Sequence, residues 1–280
     1  MHHFQKEHIV TFENNLYILE RSPATIQKYI RIVERFYDWL PEDKMVDKGV
    51  VICYKAQLAE THVPSGVNTI LAALCSFFRF MGWQDCIVKS LRIQRKVFSR
   101  PEAELNKQDY LALVKAACAK QDERLSLILQ LIASTGIRVS EIRFLTVEAL
   151  EKNRVEIRMK GKIRTILLPG KLCHKLRKYQ RQQKIHTGSL FVNHNGVPLD
   201  RRTIWAQMKQ LCEAANVPKE KVFPHNLRHL FARTFFDMHK DIAKLADLLG
   251  HTSIETTRIY LISSGYEHQK SIDRLYSLYG

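Results

Sequence analysis

With 280 residues, 45% hydrophobic and 26% charged, the chain is long enough for two modest domains with a core each, and its composition excludes a disordered or collagen-like protein. No apolar run approaches bilayer thickness, and residues 1–7 lack the apolar core of a signal peptide, so no membrane partner is expected and the cytoplasm is the expected location. The formal charge is +16, with 30 Lys+Arg against 18 Asp+Glu in residues 101–280 and 14 against 10 before them, and this one-sided excess calls for a nucleic acid as partner.

The first hundred residues read as all-helical. Ser22-Pro23 opens a helix, with serine as cap and proline in the first turn. Ile26, Tyr29, Ile30, Val33, Phe36 and Tyr37 recur at helical spacing, and Leu40-Pro41 closes the segment. A second helix is predicted over about 67–81, ending at Gly82. The basic, weakly patterned run 88–100 ends in Ser99-Arg100-Pro101, which places a linker at 97–104 between a first domain, 1–96, and a second, 105–280.

The second domain begins with a helix predicted around 107–119. In the next helix Leu125, Ile128, Leu129 and Ile132 form a stripe that stops at Gly136. Residues 155–159 alternate as a strand, Lys160-Gly161-Lys162 forms a tight turn, and 165–168 is the return strand. Leu190-Phe191-Val192 with Asn195-Gly196 reads as a further strand and turn. Helices resume from about Arg201, Pro224 and Asp241, and from Ser253 to the end. The expected fold class is therefore mainly α with a small antiparallel sheet. The six cysteines contain no CxxC pair and read as free thiols, without a disulfide or zinc framework.

Four short segments bear chemistry. Arg138 lies just past the helix-ending Gly136, with Glu141 one turn on. His225 and Arg228 stand three apart at a helix start, so both face one spot. His225 and His229, at i and i+4, raise a zinc reading, but Asn226 stands where a metalloprotease helix has its glutamate and no third ligand is evident; no metal is expected. Gly250-His251-Thr252-Ser253 ends one helix and starts another, with Thr252 expected to cap and Glu255 to reach back. Tyr260 follows about two and a half helical turns later.

In this order, Arg138, a hairpin lysine, His225-x-x-Arg228, Leu245-x-x-Leu248-Leu249-Gly250-His251 and Tyr260 resemble the catalytic domain of the tyrosine recombinase, or phage-type integrase, family, to which Xer proteins, Cre and many integrases belong. The motifs span about residues 105–262, and the helical first part is similar, more loosely, to the family's core-binding DNA-clamp domain. The resemblance implies a site-specific recombinase in which Tyr260 is the nucleophile, Arg138 and Arg228 clamp the scissile phosphate, and His225 and His251 transfer protons or touch the phosphate. Glu141 would hold its turn or an active-site basic group in place. Family hairpins usually carry Gly-Lys-Gly and two or three further residues before a basic one. Here a one-residue deletion in the turn puts Lys160 in the catalytic place, and Lys162 is the alternative.

The chemistry suits these groups. Charge grows on the nonbridging oxygens of an attacked phosphodiester, and guanidiniums are planar, permanently charged donors for it. The phenol, with an ordinary pKa near 10, needs a base and a cationic field, and the departing deoxyribose oxygen needs a proton donor. A phosphotyrosine bond conserves the energy of the broken one, so no ATP, metal or other cofactor is expected. The implied partners are duplex DNA and, on two recombination sites, a homo-tetramer assembled from monomers or dimers. The apolar end, Ile272, Leu275, Tyr276 and Leu278-Tyr279, suits either exchange with a neighbour or packing on its own domain. A type IB topoisomerase-like relaxase and a non-catalytic DNA-binding regulator are the alternatives. The loose first-domain match favours an integrase of a mobile genetic element over a housekeeping Xer protein.

Overall fold

The computed structural model describes residues 1–93, 104–159, 162–251, 253–261 and 273–277. The chain divides into two compact units, Met1–Arg95 and Lys96–Gly280. The proposed linker at 97–104 lies, except for Glu104, outside the described residues.

In the first unit a two-residue strand β1 (His2–His3) pairs antiparallel with β2 (Met45–Val46). Around them stand α1 (Glu7–Ile18), α2 (Pro23–Trp39), α3 (Lys48–Thr61) and α4 (Pro64–Phe80). α2 starts where its cap dictates: the Ser22 side chain accepts from the Thr25 amide and Pro23 fills the first turn. The last helix starts three residues before the expected 67, because Pro64 suits a first turn as Pro23 does. The helices close on an aromatic core of Phe4, Phe12, Phe36, Phe77 and Phe78, in which Phe12 and Phe77 meet edge-on at 5.3 Å.

The second unit opens with α5 (Lys107–Ala119), over the predicted residues, and α6 (Glu123–Thr135). α6 ends on Gly136 at φ +62°, where a Cβ would also lie 2.6 Å from Phe231, so only glycine fits. A short α7 (Val147–Glu151) leads to a hairpin of β3 (Arg154–Met159) and β4 (Lys162–Leu167), registered Met159↔Lys162 through Arg154↔Leu167. β4 therefore begins three residues earlier than expected, and Lys162 belongs to the strand instead of the turn. Lys160 and Gly161 lie outside the described residues. The period of two buries Val155 and Ile157 on β3 and Ile166 on β4.

There follow α8 (Gly170–Gln182), α9 (Arg201–Lys209), α10 (Cys212–Ala215), α11 (Pro224–His239), α12 (Ile242–Leu249) and α13 (Ile254–Arg258). The strand expected at Leu190–Val192 forms only isolated bridges, Thr146↔Ser189 and Val192↔Pro198. A proline opposite Val192 has no N–H to extend a ladder. The helix expected from Ser253 onward is also shorter, since α13 tightens into a 3₁₀ turn at Ile259–Leu261. Its cap is Ser253, extended at φ −138° and accepting from the Glu255 amide, one residue later than the predicted Thr252. Residues 273–277 are helical, and the rest of the apolar end lies outside the described residues. Among the described residues no helix is long and apolar enough to cross a membrane.

Candidate active site

Three helix ends and one strand converge on Tyr260. The αL turn at Gly136 releases the chain from α6 into extended Arg138. Glu141, 4% exposed, then folds back: its Oε2 accepts from the Arg138 amide at 2.9 Å and its Oε1 from the Arg138 guanidinium at 2.8 Å. The same carboxylate accepts from Arg164 Nη1 at 2.8 Å, so it bridges two cations. Arg164 also donates to the Leu248 carbonyl at 2.9 Å. It packs on Gly250, where any side chain would collide with it. β4 is thereby tied both to the Arg138 turn and to the end of α12.

Arg228 is 2% exposed on the first turns of α11. It donates to the Gly136 carbonyl, to the Leu249 carbonyl at 2.8 Å and to His251 Nε2 at 3.0 Å. Its Nε is buried without a hydrogen-bond partner among the described residues. Burial, and then the nearby Arg138 charge, push its pKa down to about 10, with the Tyr260 oxygen acting in the opposite direction. It stays a cation at neutral pH, its bonds shared between neutral carbonyls and a histidine.

His251 is fixed by the αL turn at Gly250. Arg228 can only donate, so His251 Nε2 accepts, and Nδ1 carries the proton that bonds the buried Thr257 hydroxyl at 2.9 Å. Burial and the Arg228 charge push its pKa down to about 4. His229 is likewise pushed down to about 4, by burial, then His225 and Arg228. His225 stands exposed at the rim and is also held below its ordinary value, by partial burial of the ring and then by Arg228. All three are neutral near pH 7.

Tyr260 closes the pocket at 7% exposure, packed on Ala232, Leu245 and Leu249. Its ring centroid lies 4.3 Å from that of His229 and 5.4 Å from those of His225 and His251. The Arg228 guanidinium stands 5.9 Å from the same centroid. The fold thus gathers Arg138, Glu141, His225, Arg228, His251 and Tyr260 into one region. Lys160, and the side chain of Lys162, lie outside what the structure describes. The sequence reading missed Arg164, the contact of His229 with the tyrosine, and Thr257. The first had a signal: Arg164 shares its pleat parity with buried Ile166, so it faces inward.

Among the described residues no third donor joins His225 and His229. The one group of three possible metal ligands among the described residues is His2, Asp85 and Cys86 in the first unit, their ligand atoms within 4.8 Å of one another. Burial pushes the Cys86 thiol up to about 11, which keeps it protonated and a poor ligand.

A mainly helical chain with one hairpin and this pocket has the integrase fold. Lambda integrase, solved as a dimer bound to a COC′ core site, superposes with a TM-score of 0.75 at 16% identity over 91% of this chain and 94% of that one. XerH, solved in a post-cleavage complex on a palindromic difH substrate, gives 0.69 at 20% identity, covering 86% of this chain and 77% of that one. The phage integrase family's sequence profile matches residues 103–265, more than half of the chain, and the chain belongs to that family. Tyrosine recombinase XerA of Pyrococcus furiosus is 28% identical over 278 residues, 96% of this chain and 94% of that protein. Tyrosine recombinase XerC of Roseiflexus castenholzii is 29% identical over 265 residues, 85% of this chain and 83% of that protein. The protein is a tyrosine-type site-specific recombinase.

Proposed function

We propose that this recombinase breaks and rejoins duplex DNA through a 3′-phosphotyrosyl bond to Tyr260, working in the cytoplasm where its DNA lies. The observation that carries the residue assignment is the pocket itself: a buried tyrosine ringed by neutral histidines beside a buried, carboxylate-free arginine. Arg138 and Arg228 would grip the nonbridging oxygens, since both donate from fixed positions and a bound phosphate supplies the anion that Arg228 lacks. The phenolic oxygen attacks phosphorus, the bond to the 5′-oxygen breaks, and that oxygen leaves with a proton. By the family resemblance Lys160 supplies this proton, with Lys162 as alternative. Neutral His225 and His229 are in the protonation state that accepts a proton from the phenol, whereas His251, with Nε2 accepting from Arg228 and Nδ1 bonded to Thr257, positions Arg228 at the phosphate. Glu141 holds Arg138 in place, and Arg164 braces Glu141. Attack by the 5′-hydroxyl of another strand reverses the step and seals the exchange.

The expected assembly is a homo-tetramer on two DNA sites. Exposed Leu275 and Tyr276 support a terminal segment passed to a neighbour. Nicked suicide substrates test the core of this reading. Tyr260→Phe should bind DNA like the parent and form no covalent adduct, and a normal adduct yield would remove Tyr260 from its role. Equal relaxation of plasmids with and without a recombination site would favour a relaxase instead.

A further inference from the structure

We propose that the outward face of α8 is a second phosphate-binding surface that engages the backbone of duplex DNA outside the stretch held at Tyr260; this rests on the reading of DNA as the substrate. α8 buries Leu172, Cys173, Leu176 and Tyr179. At about 3.6 residues per turn, its opposite side carries Lys171, His174, Lys175, Lys178 and Arg181 as one stripe. All five are exposed, as is Lys184 just past the helix end. None of these residues takes part in an ion pair among the described residues. Lys175 donates to the Gln130 amide oxygen at 2.7 Å and Arg181 to the Arg177 carbonyl at 3.4 Å, neutral acceptors that leave the charge uncompensated.

The surrounding sequence offers no remedy, because residues 157–199 contain no Asp or Glu. A merely solvated face mixes signs, as α2 does with Lys28, Arg31, Glu34, Arg35 and Asp38. On α8 the like charges of Lys171 and Lys175, and of Lys175 and Lys178, sit at i,i+4 and i,i+3, where they repel. An anion lying along the helix removes that repulsion. Duplex DNA matches the dimensions: the stripe from Lys171 to Arg181 is about 15 Å long. One DNA strand rises roughly 3.4 Å per phosphate while winding about the axis, so the stripe meets about two to three successive phosphates. The stripe is also electrically separate from the catalytic pocket. Arg138, Arg164, Arg228 and His225 shift the groups there, and no cation of α8 does.

The test is a variant carrying Lys171→Gln, Lys175→Gln, Lys178→Gln and Arg181→Gln, since glutamine forms helix about as well as lysine. Binding is measured across a salt series on a minimal duplex site and on the same site with both flanks extended. The parent should bind the longer duplex more tightly, with a log–log salt slope steeper by about 2 to 3, near 0.9 per phosphate. The variant should lose both the added slope and the gain from length, while covalent trapping at saturating protein stays at the parent's level. A variant that keeps the parent's slope and length gain would reduce the stripe to a solvated face and end the proposal. So would a loss confined to binding of RNA or of an acidic protein. Failure of the parent itself to trap DNA would count against the Tyr260 reading and leave the binding comparison to judge α8.

Discussion

The interiors of the two units are built from different materials. The first closes on aromatic and aliphatic side chains, with Phe4, Phe36, Phe77 and Phe78 fully buried. Every buried polar or charged residue among the described ones lies in the second unit: Ser126, Thr135, Glu141, Asn226, Arg228 and Thr257. Apolar burial stabilises in proportion to area, whereas a buried guanidinium that faces carbonyls, a histidine and a phenol, with no carboxylate partner, costs desolvation that its bonds do not fully return. The first interior is there to hold a shape. The second sacrifices stability to keep a buried cation and a buried phenol beside two partly buried neutral imidazoles, with His225 at the exposed rim, an arrangement that suits the phosphoryl transfer proposed for it.

Two substitutions should pull this comparison apart, the larger first. Arg228→Lys keeps the charge but loses the planar fork that reaches the Gly136 and Leu249 carbonyls together. Single-turnover adduct formation on a nicked substrate should fall by about 10²–10³-fold, and a fall of less than about tenfold would mean that Arg228 serves packing. Phe77→Ala should do the reverse. Urea unfolding of the first unit should lose about 3–5 kcal/mol, while adduct formation by the folded protein at saturating DNA stays as in the parent. A large catalytic loss at intact fold would show that the aromatic core does more than hold shape.

The parts legible in the sequence are those set by neighbours along the chain. Ser22-Pro23 and Gly136 mark their helix ends because capping needs only local residues, and the order Arg138, His225, Arg228, His251, Tyr260 survives folding as order. What escaped depended on distant partners or on close competitors. α8 was not predicted, since its apolar face of Leu172, Cys173, Leu176 and Tyr179 is diluted by bases. The bridge from Arg164 to Glu141 and Leu248 spans 23 and 84 residues. Thr252 and Ser253 are both residue types that cap, and no neighbour along the chain announces that Ser253 takes the role. The length of β4 was set by pairing with β3 as far as Lys162, which no turn residue announced.

The last difference between the interiors should appear on acidification. His229 and His251 have folded pKa values near 4, against about 6.5 in an unfolded chain. Between those limits the unfolded state binds more protons, so the stability of the second unit is complete above about pH 6.5 and is lost as pH falls toward 4. Protonating His251 would also turn its Nε2 into a donor facing the donor Nη2 of Arg228, setting two cations against each other. In the first unit the acid-sensitive pair is Asp85 with His2, where the hydrogen bond from His2 holds the exposed carboxyl below its ordinary value and so below this pH window. Thermal melts of the DNA-free protein from pH 7.5 to 4.5 should therefore show the second unit weakening while the first holds. Histidine NMR titrations should place two imidazoles far below the rest, and His251→Asn should remove one of them and flatten the acid slope. If both imidazoles titrate near 6.5, the pocket is wet, and the contrast between the two interiors is one of composition without consequence for protonation.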